Sequence, residues 1–166
     1  ELERIRAKAQ KELAVRGESI TREHLTHRAS FAFAEMYAST NDFEIAAKWY
    51  RQAIDNFHEA EGDRTVARAA NALAQINVRL KNVTAAKELY GQAMLIFKGI
   101  GDDRGLISSH MGLARIAFDE KQRSEAAVHY ENVLELLEIS GLPIEQWETY
   151  RNLAHIHFWD KKILKA

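Results

Sequence analysis

Residues 99–105 read GIGDDRG, three glycines around the acidic pair Asp102 and Asp103. A glycine-rich loop ahead of a helix can cradle phosphate, because its backbone N–H groups converge on an anion at the positive end of the helix dipole. The histidines offer a second chemistry. REHLTH places His24 and His27 on one helix face with Glu23 nearby, and HIHFWD carries His155, His157 and Asp160. A helical zinc site takes two such ligands and a third from elsewhere. Ser30, Ser108, Ser109 and Ser124 are candidate nucleophiles. The chain has no cysteine, which excludes disulfides, thiolate ligands and thiol nucleophiles.

The surroundings of each candidate argue against it. A phosphate cradle follows a strand and runs into Gly-Lys-Ser/Thr, whereas GIGDDRG follows a helical pattern and its aspartates repel anions. His155 and His157 fall on different helix faces, and no His-Glu-x-x-His pattern is present. None of the serines sits in a Gly-x-Ser-x-Gly elbow. The carboxylates scatter along solvent faces, as charges on helices do. We therefore expect no catalytic residues, no metal and no cofactor: the chain is not expected to be an enzyme.

The elements that hold these residues follow from a repeat. A shift of 40 residues aligns AAKWYRQAIDNF (46–57), AKELYGQAMLIF (86–97) and AAVHYENVLELL (126–137). Ala46, Ala86 and Ala126 coincide, as do Tyr50, Tyr90 and Tyr130. The same shift aligns Phe33-Ala34, Leu73-Ala74, Leu113-Ala114 and Leu153-Ala154, followed by Met36, Ile76, Ile116 and Ile156. Apolar residues at three- and four-residue steps mark both sets as amphipathic helices. Helices are expected near 1–16, 22–39, 42–60, 64–80, 83–98, 104–120, 123–139 and 144–160. The alanines let neighbouring helices approach, and the tyrosines fill the wider spaces between pairs. One pair cannot bury its apolar face alone, so the pairs must stack.

The repeat also explains the glycine-rich loop. EAEGDRT (59–65) and ISGLPIE (139–145) occupy the equivalent junctions. Glycine ends one helix in a left-handed conformation, aspartate caps the next, and Pro143 starts the last. Gly99 and Gly105 have no counterparts and read only as loosening this turn.

Leu73-Ala74, Ala86, Tyr90 and Ala93-Met94, with matching sets on either side, resemble the tetratricopeptide repeat over residues 22–160. The usual period is about 34 residues, and the longer one here resembles the variants in kinesin light chains, polarity adaptors, helical sensor domains of bacterial activators and peptide-pheromone receptors. The glycine common between paired helices is replaced by Asn41, Lys81 and Lys121.

This resemblance implies an all-α fold, a right-handed superhelical array of antiparallel helix pairs. One domain over 1–166 is expected, with pairs at 22–60, 64–98 and 104–139, a partial pair at 144–166 and a leading helix at 1–16. The chain reads as a fragment of a longer protein.

The resemblance also implies a concave groove lined by the first helix of each pair. Carried over by register, its candidate residues are Phe31, Glu35, Arg68, Asn71, Gln75, Arg79, Met111, Arg115, Arg151 and His155. The arginines suit carboxylates and backbone carbonyls, and Phe31 and Met111 offer apolar contact. The family's lysine clamp for a terminal carboxylate is not matched.

The expected function is a non-catalytic module binding an extended or helical protein or peptide segment. The alternative is a ligand- or peptide-sensing domain of a larger signalling or transcription regulator. A net charge of -1 gives no footprint for nucleic acid, and no apolar run has membrane-spanning length. With no signal peptide and no cysteine, a cytoplasmic location is expected. Self-association through the terminal helices is a further expectation, because Leu153 and Ile156 in the unfinished last pair need cover.

Overall fold

The computed structural model describes residues 22–55, 63–141, 152–153 and 156, with backbone alone for 22–28 and 63. The expected helix at 1–16, nearly all of the one at 144–160, Gly62 and Pro143 lie outside these residues. So do the side chains of His24, His27, His155, His157 and Asp160.

Six helices and no strand occur among the described residues: α1 (Arg22–Ser39), α2 (Phe43–Asp55), α3 (Asp63–Arg79), α4 (Val83–Ile100), α5 (Asp103–Asp119) and α6 (Arg123–Ser140). Their limits fall close to those expected from the repeat. The second helix, expected to run to residue 60, is described as far as Asp55.

The chain divides into two compact units, Glu1–Leu89 and Tyr90–Ala166, with the boundary inside α4. In the first, α1 packs on α2 and α2 on α3. Its core gathers Ala34, Ala46, Ala47, Tyr50, Ala53, Ala69, Leu73 and Ile76. In the second, α5 packs on α6, and the core joins Ile107, Met111, Ala114, Ala117, Ala126, Tyr130, Val133 and Leu137. The recurring sequence positions are these cores. Ala34, Ala74 and Ala114 are fully buried, as are Ala46, Ala86 and Ala126, and Tyr50, Tyr90 and Tyr130 are at most 4% exposed. Alanine has no bulk past Cβ and allows the close helix contact that a period of buried tyrosines then seals.

Leu153 and Ile156 belong to the second core and are 7% and 1% exposed. They share that cluster with apolar residues of α5 and α6.

One junction design recurs. At Asn41, Lys81, Gly101 and Lys121 the backbone turns left-handed, with φ between 63° and 67°. Asn41, Lys81 and Lys121 each donate their N–H to the carbonyl three residues back. The next residue, Asp42, Asn82 or Gln122, donates to the carbonyl five back: Tyr37 at 2.9 Å, Asn77 at 2.8 Å and Ala117 at 2.8 Å. Gly101 and Asp102 repeat the pattern on Lys98 and Phe97. This is the Schellman closure, which satisfies the last carbonyls of a helix. The same second residue then accepts from the first turn of the following helix, as in Asp42 to Ala46, Asn82 to Ala86 and Asp102 to Leu106. One residue thus ends one helix and starts the next, which keeps the connections short.

GIGDDRG is one of these junctions. Gly101 takes the left-handed position, and Asp102 caps α5 by accepting from Gly105 N at 3.1 Å. Gly105 does more than loosen the turn. A Cβ there would stand 2.2 Å from Phe97 Cδ1, so glycine lets the buried Phe97 ring lie against α5.

Candidate functional site

In the first unit, three residues from the expected groove set come together across α1 and α3. Phe31 sits edge-on to Tyr50, with ring centroids 5.6 Å apart and planes at 72°. The Arg68 guanidinium lies over the Phe31 ring, 5.1 Å from the Phe31 centroid. Its Nη2 is 3.8 Å from Glu35 Oε1, and both charged side chains remain more than half exposed, at 58% and 54%. That separation makes an ion pair and not a hydrogen bond.

Helix periodicity explains the grouping. Phe31 and Glu35 are four apart on α1, one above the other, and Arg68 reaches them from the second turn of α3. Neither contact is strong: an exposed cation–π pair contributes about 0.5–1 kcal/mol and an exposed ion pair about as much or less. Together they orient the arginine while leaving its N–H fork open to solvent.

Tyr50 couples this surface to the core. Burial pushes its hydroxyl up to about 12, with the Glu35 carboxylate adding to the rise and Arg68 opposing it. A neutral hydroxyl is therefore held beneath the charged pair. Further along α3, Gln75 is exposed, and the exposed Arg79 lies 5.3 Å over the Phe43 ring at the start of α2. Asn71 is 6% exposed, behind this face.

In the second unit, Arg115 is exposed on α5. Its charge opposes the burial that pushes Tyr90 up to about 12. Met111 is 7% exposed and belongs to the core cluster. Arg151 and His155 lie outside the described residues.

One titratable pair escaped the sequence reading. His110 on α5 and His129 on α6 face each other with Nδ1 atoms 3.0 Å apart. Spacing within one helix cannot reveal it, since the partners lie 19 residues apart. The repeat register can: His110 replaces Ser30 and Ala70, and His129 replaces Trp49 and Leu89. Among the described residues, no group of three or more His, Cys, Asp or Glu converges as a metal site, and no helix is long and apolar enough to cross a membrane.

Comparison with known proteins bears on the fold. Residues 27–56 match the family model described as Tetratricopeptide repeat. The fold is similar to the apo form of RapI, with a TM-score of 0.77 and 17% identity over 95% of this chain and 56% of that one. It is similar to BtubC (BKLC) from P. vanneervenii, with a TM-score of 0.75 and 20% identity over 90% of this chain and 62% of that one. Aspartyl phosphate phosphatase F from Bacillus subtilis gives a TM-score of 0.77 and 17% identity over 97% and 41%. The chain thus spans less than two thirds of the length of each. No curated protein sequence matches it. At these identities the likeness shows the fold alone, an all-α array of helical repeats.

Proposed function

We propose that this chain, built on tetratricopeptide-type repeats, is a non-catalytic module that binds a protein or peptide segment on the open faces of its first helices. The observation that carries the reading is the Phe31–Arg68–Glu35 arrangement. An arginine poised over an aromatic ring, with its donors turned to solvent, is suited to a carboxylate or to backbone carbonyls. Phe31 supplies adjoining apolar surface. Within the first unit, the exposed Gln75 and Arg79 extend the donor-rich character along α3, with Asn71 buried behind it; within the second, Arg115 is exposed on α5 and Met111 is buried. By sequence register Arg151 and His155 complete the candidate set.

The partner is a segment presented extended or as a helix, and its acidic side chains meet the arginines. One structural neighbour is named a phosphatase, but a neighbour at 17% identity lends its fold and not its chemistry.

Selection of peptides from a random displayed library tests the reading, followed by affinity measurement on the free peptides by fluorescence anisotropy. The expected binders carry Asp or Glu, and Arg68→Glu combined with Arg115→Glu weakens them by roughly tenfold or more without shifting the unfolding midpoint. Equal affinity for the folded double variant overturns the assignment.

A further inference from the structure

α3 carries two arginines that are each laid over a phenylalanine ring. Arg68 lies 5.1 Å from the Phe31 centroid, and Arg79 lies 5.3 Å from that of Phe43. A free arginine samples many rotamers, and each ring removes part of that freedom before a ligand arrives. Both arginines are exposed, as is Gln75 between them, and the half-buried Ala72 adds no bulk. One repeat later, Ser108 and Asp119 stand in place of the arginines, and Met111 and Arg123 in place of the rings. The repeat architecture therefore does not demand this arrangement.

Spacing decides what the two arginines can hold together. They are eleven residues apart, which is about 16–17 Å along the helix and about 20° beyond three whole turns. Side chains on one helix lean the same way, so the two forks keep about that separation. With Ala72 and Gln75 they form one stripe at steps of four, three and four residues, the seam along which two helices pack. An arginine fork takes a carboxylate bidentately. Two carboxylates that engage both forks must then be about 16–17 Å apart on one side of their own chain. In an extended segment five residues span about that distance, but an odd step turns the side chains to opposite faces, and four or six residues miss by about 3 Å. A helix meets both conditions, because residues eleven apart share a face at the required rise.

We propose that the occupant of this face is a helical protein segment with two acidic side chains eleven residues apart, laid along α3 so that one carboxylate meets Arg68 and the other Arg79. This rests on the peptide-binding reading above and adds a conformation and a register to it. The Glu35 carboxylate stands 3.8 Å from Arg68, too far for a hydrogen bond, so the incoming carboxylate has none to break there. Between the arginines, Ala72 and Gln75 are small or neutral. The centre of the segment can therefore approach closely without a charge of its own.

The probes are fluorescein-labelled, stapled alanine–glutamine peptides of equal length and composition, their helicity checked by circular dichroism. One carries two glutamates eleven residues apart, and the other carries them nine apart, on opposite helix faces. A flexible glycine–serine peptide with two glutamates is the extended control. By fluorescence anisotropy the eleven-spaced helix is expected to bind the full chain about tenfold more tightly than either other peptide. Arg68→Gln and Arg79→Gln should each remove that preference. Equal affinity for the two helices, tighter binding of the flexible peptide, or a preference that survives in either folded variant overturns the proposal. If a variant fails to fold, the comparison of peptides on the unaltered chain decides. Flexible acidic peptides that bind and depend on Arg68 and Arg115 would overturn this inference and leave the broader reading standing. No binding by any of the three peptides also overturns it, and the library selection then judges the broader reading separately.

Discussion

The Gly112 backbone lies directly against the ring of Tyr90: a Cβ built on Gly112 would stand 2.2 Å from Tyr90 Cζ. Tyr90 is 2% exposed and has no room to swing away. Replacement of glycine by alanine inside a helix ordinarily stabilises by about 1 kcal/mol, while overpacking a filled core costs about 1–3 kcal/mol. Here the second effect wins. Gly112→Ala is expected to lower stability by about 1–2 kcal/mol in urea unfolding. In a Tyr90→Leu background the same change becomes neutral or stabilising, and the double-mutant cycle reports the contact.

The left-handed residues make an opposite prediction. Lys81 and Lys121 hold φ of 65° and 63°, a conformation that costs an L-residue about 1–2 kcal/mol. Glycine avoids that cost but gives back part of it as chain entropy. Lys81→Gly and Lys121→Gly are each expected to stabilise by about 0.5–1 kcal/mol, raising the urea midpoint with the slope unchanged. Gly101→Ala should do the reverse.

His110 sets an acid limit. Its pKa is lowered from 6.5 to about 4, first by burial and then by His129. The unfolded chain therefore binds a proton that the folded chain refuses, so the stabilising contribution is complete above 6.5 and is lost as pH falls towards 4. Allowing for partial exposure, the loss is about 1–2 kcal/mol. Urea unfolding at pH 7, 5.5 and 4 should show a shallower fall for His110→Gln than for the unaltered chain.

Arg68 separates folding from recognition. Its contacts with Phe31 and Glu35 are both exposed, so Arg68→Ala should cost less than about 1 kcal/mol in stability. Salt at about 1 M should shrink the Glu35 contribution further. A larger loss in chemical denaturation would place Arg68 in the packing instead of on an open face.

The helices and cores were legible because packing repeats. An alanine that must be small recurs at Ala46, Ala86 and Ala126, and a tyrosine that must fill a gap recurs at Tyr50, Tyr90 and Tyr130. Contacts made by one pair only were not legible. Gly105 and Gly112 look like weak helix residues until the Phe97 and Tyr90 rings are in place. His110 and His129 belong to different helices, and neither position resembles its repeat equivalents. For the candidate surface, the register indicated Phe31, Glu35 and Arg68 one at a time. That the arginine lies over the ring depends on the approach of α3 to α1, which spacing along the chain does not encode. Asn71 and Met111 share the groove register, yet they are buried.

Asn41, Lys81 and Lys121 close their junctions through their main-chain N–H groups, and all three side chains are exposed. Each turn therefore presents a side chain that its own closure does not use, at a spacing of 40 residues, in a chain free of cysteine. A single cysteine introduced at any of these positions gives a unique attachment point for a fluorophore or spin label, placed at the same point of successive repeats. Three otherwise identical proteins would then report whether the repeats melt together or one after another.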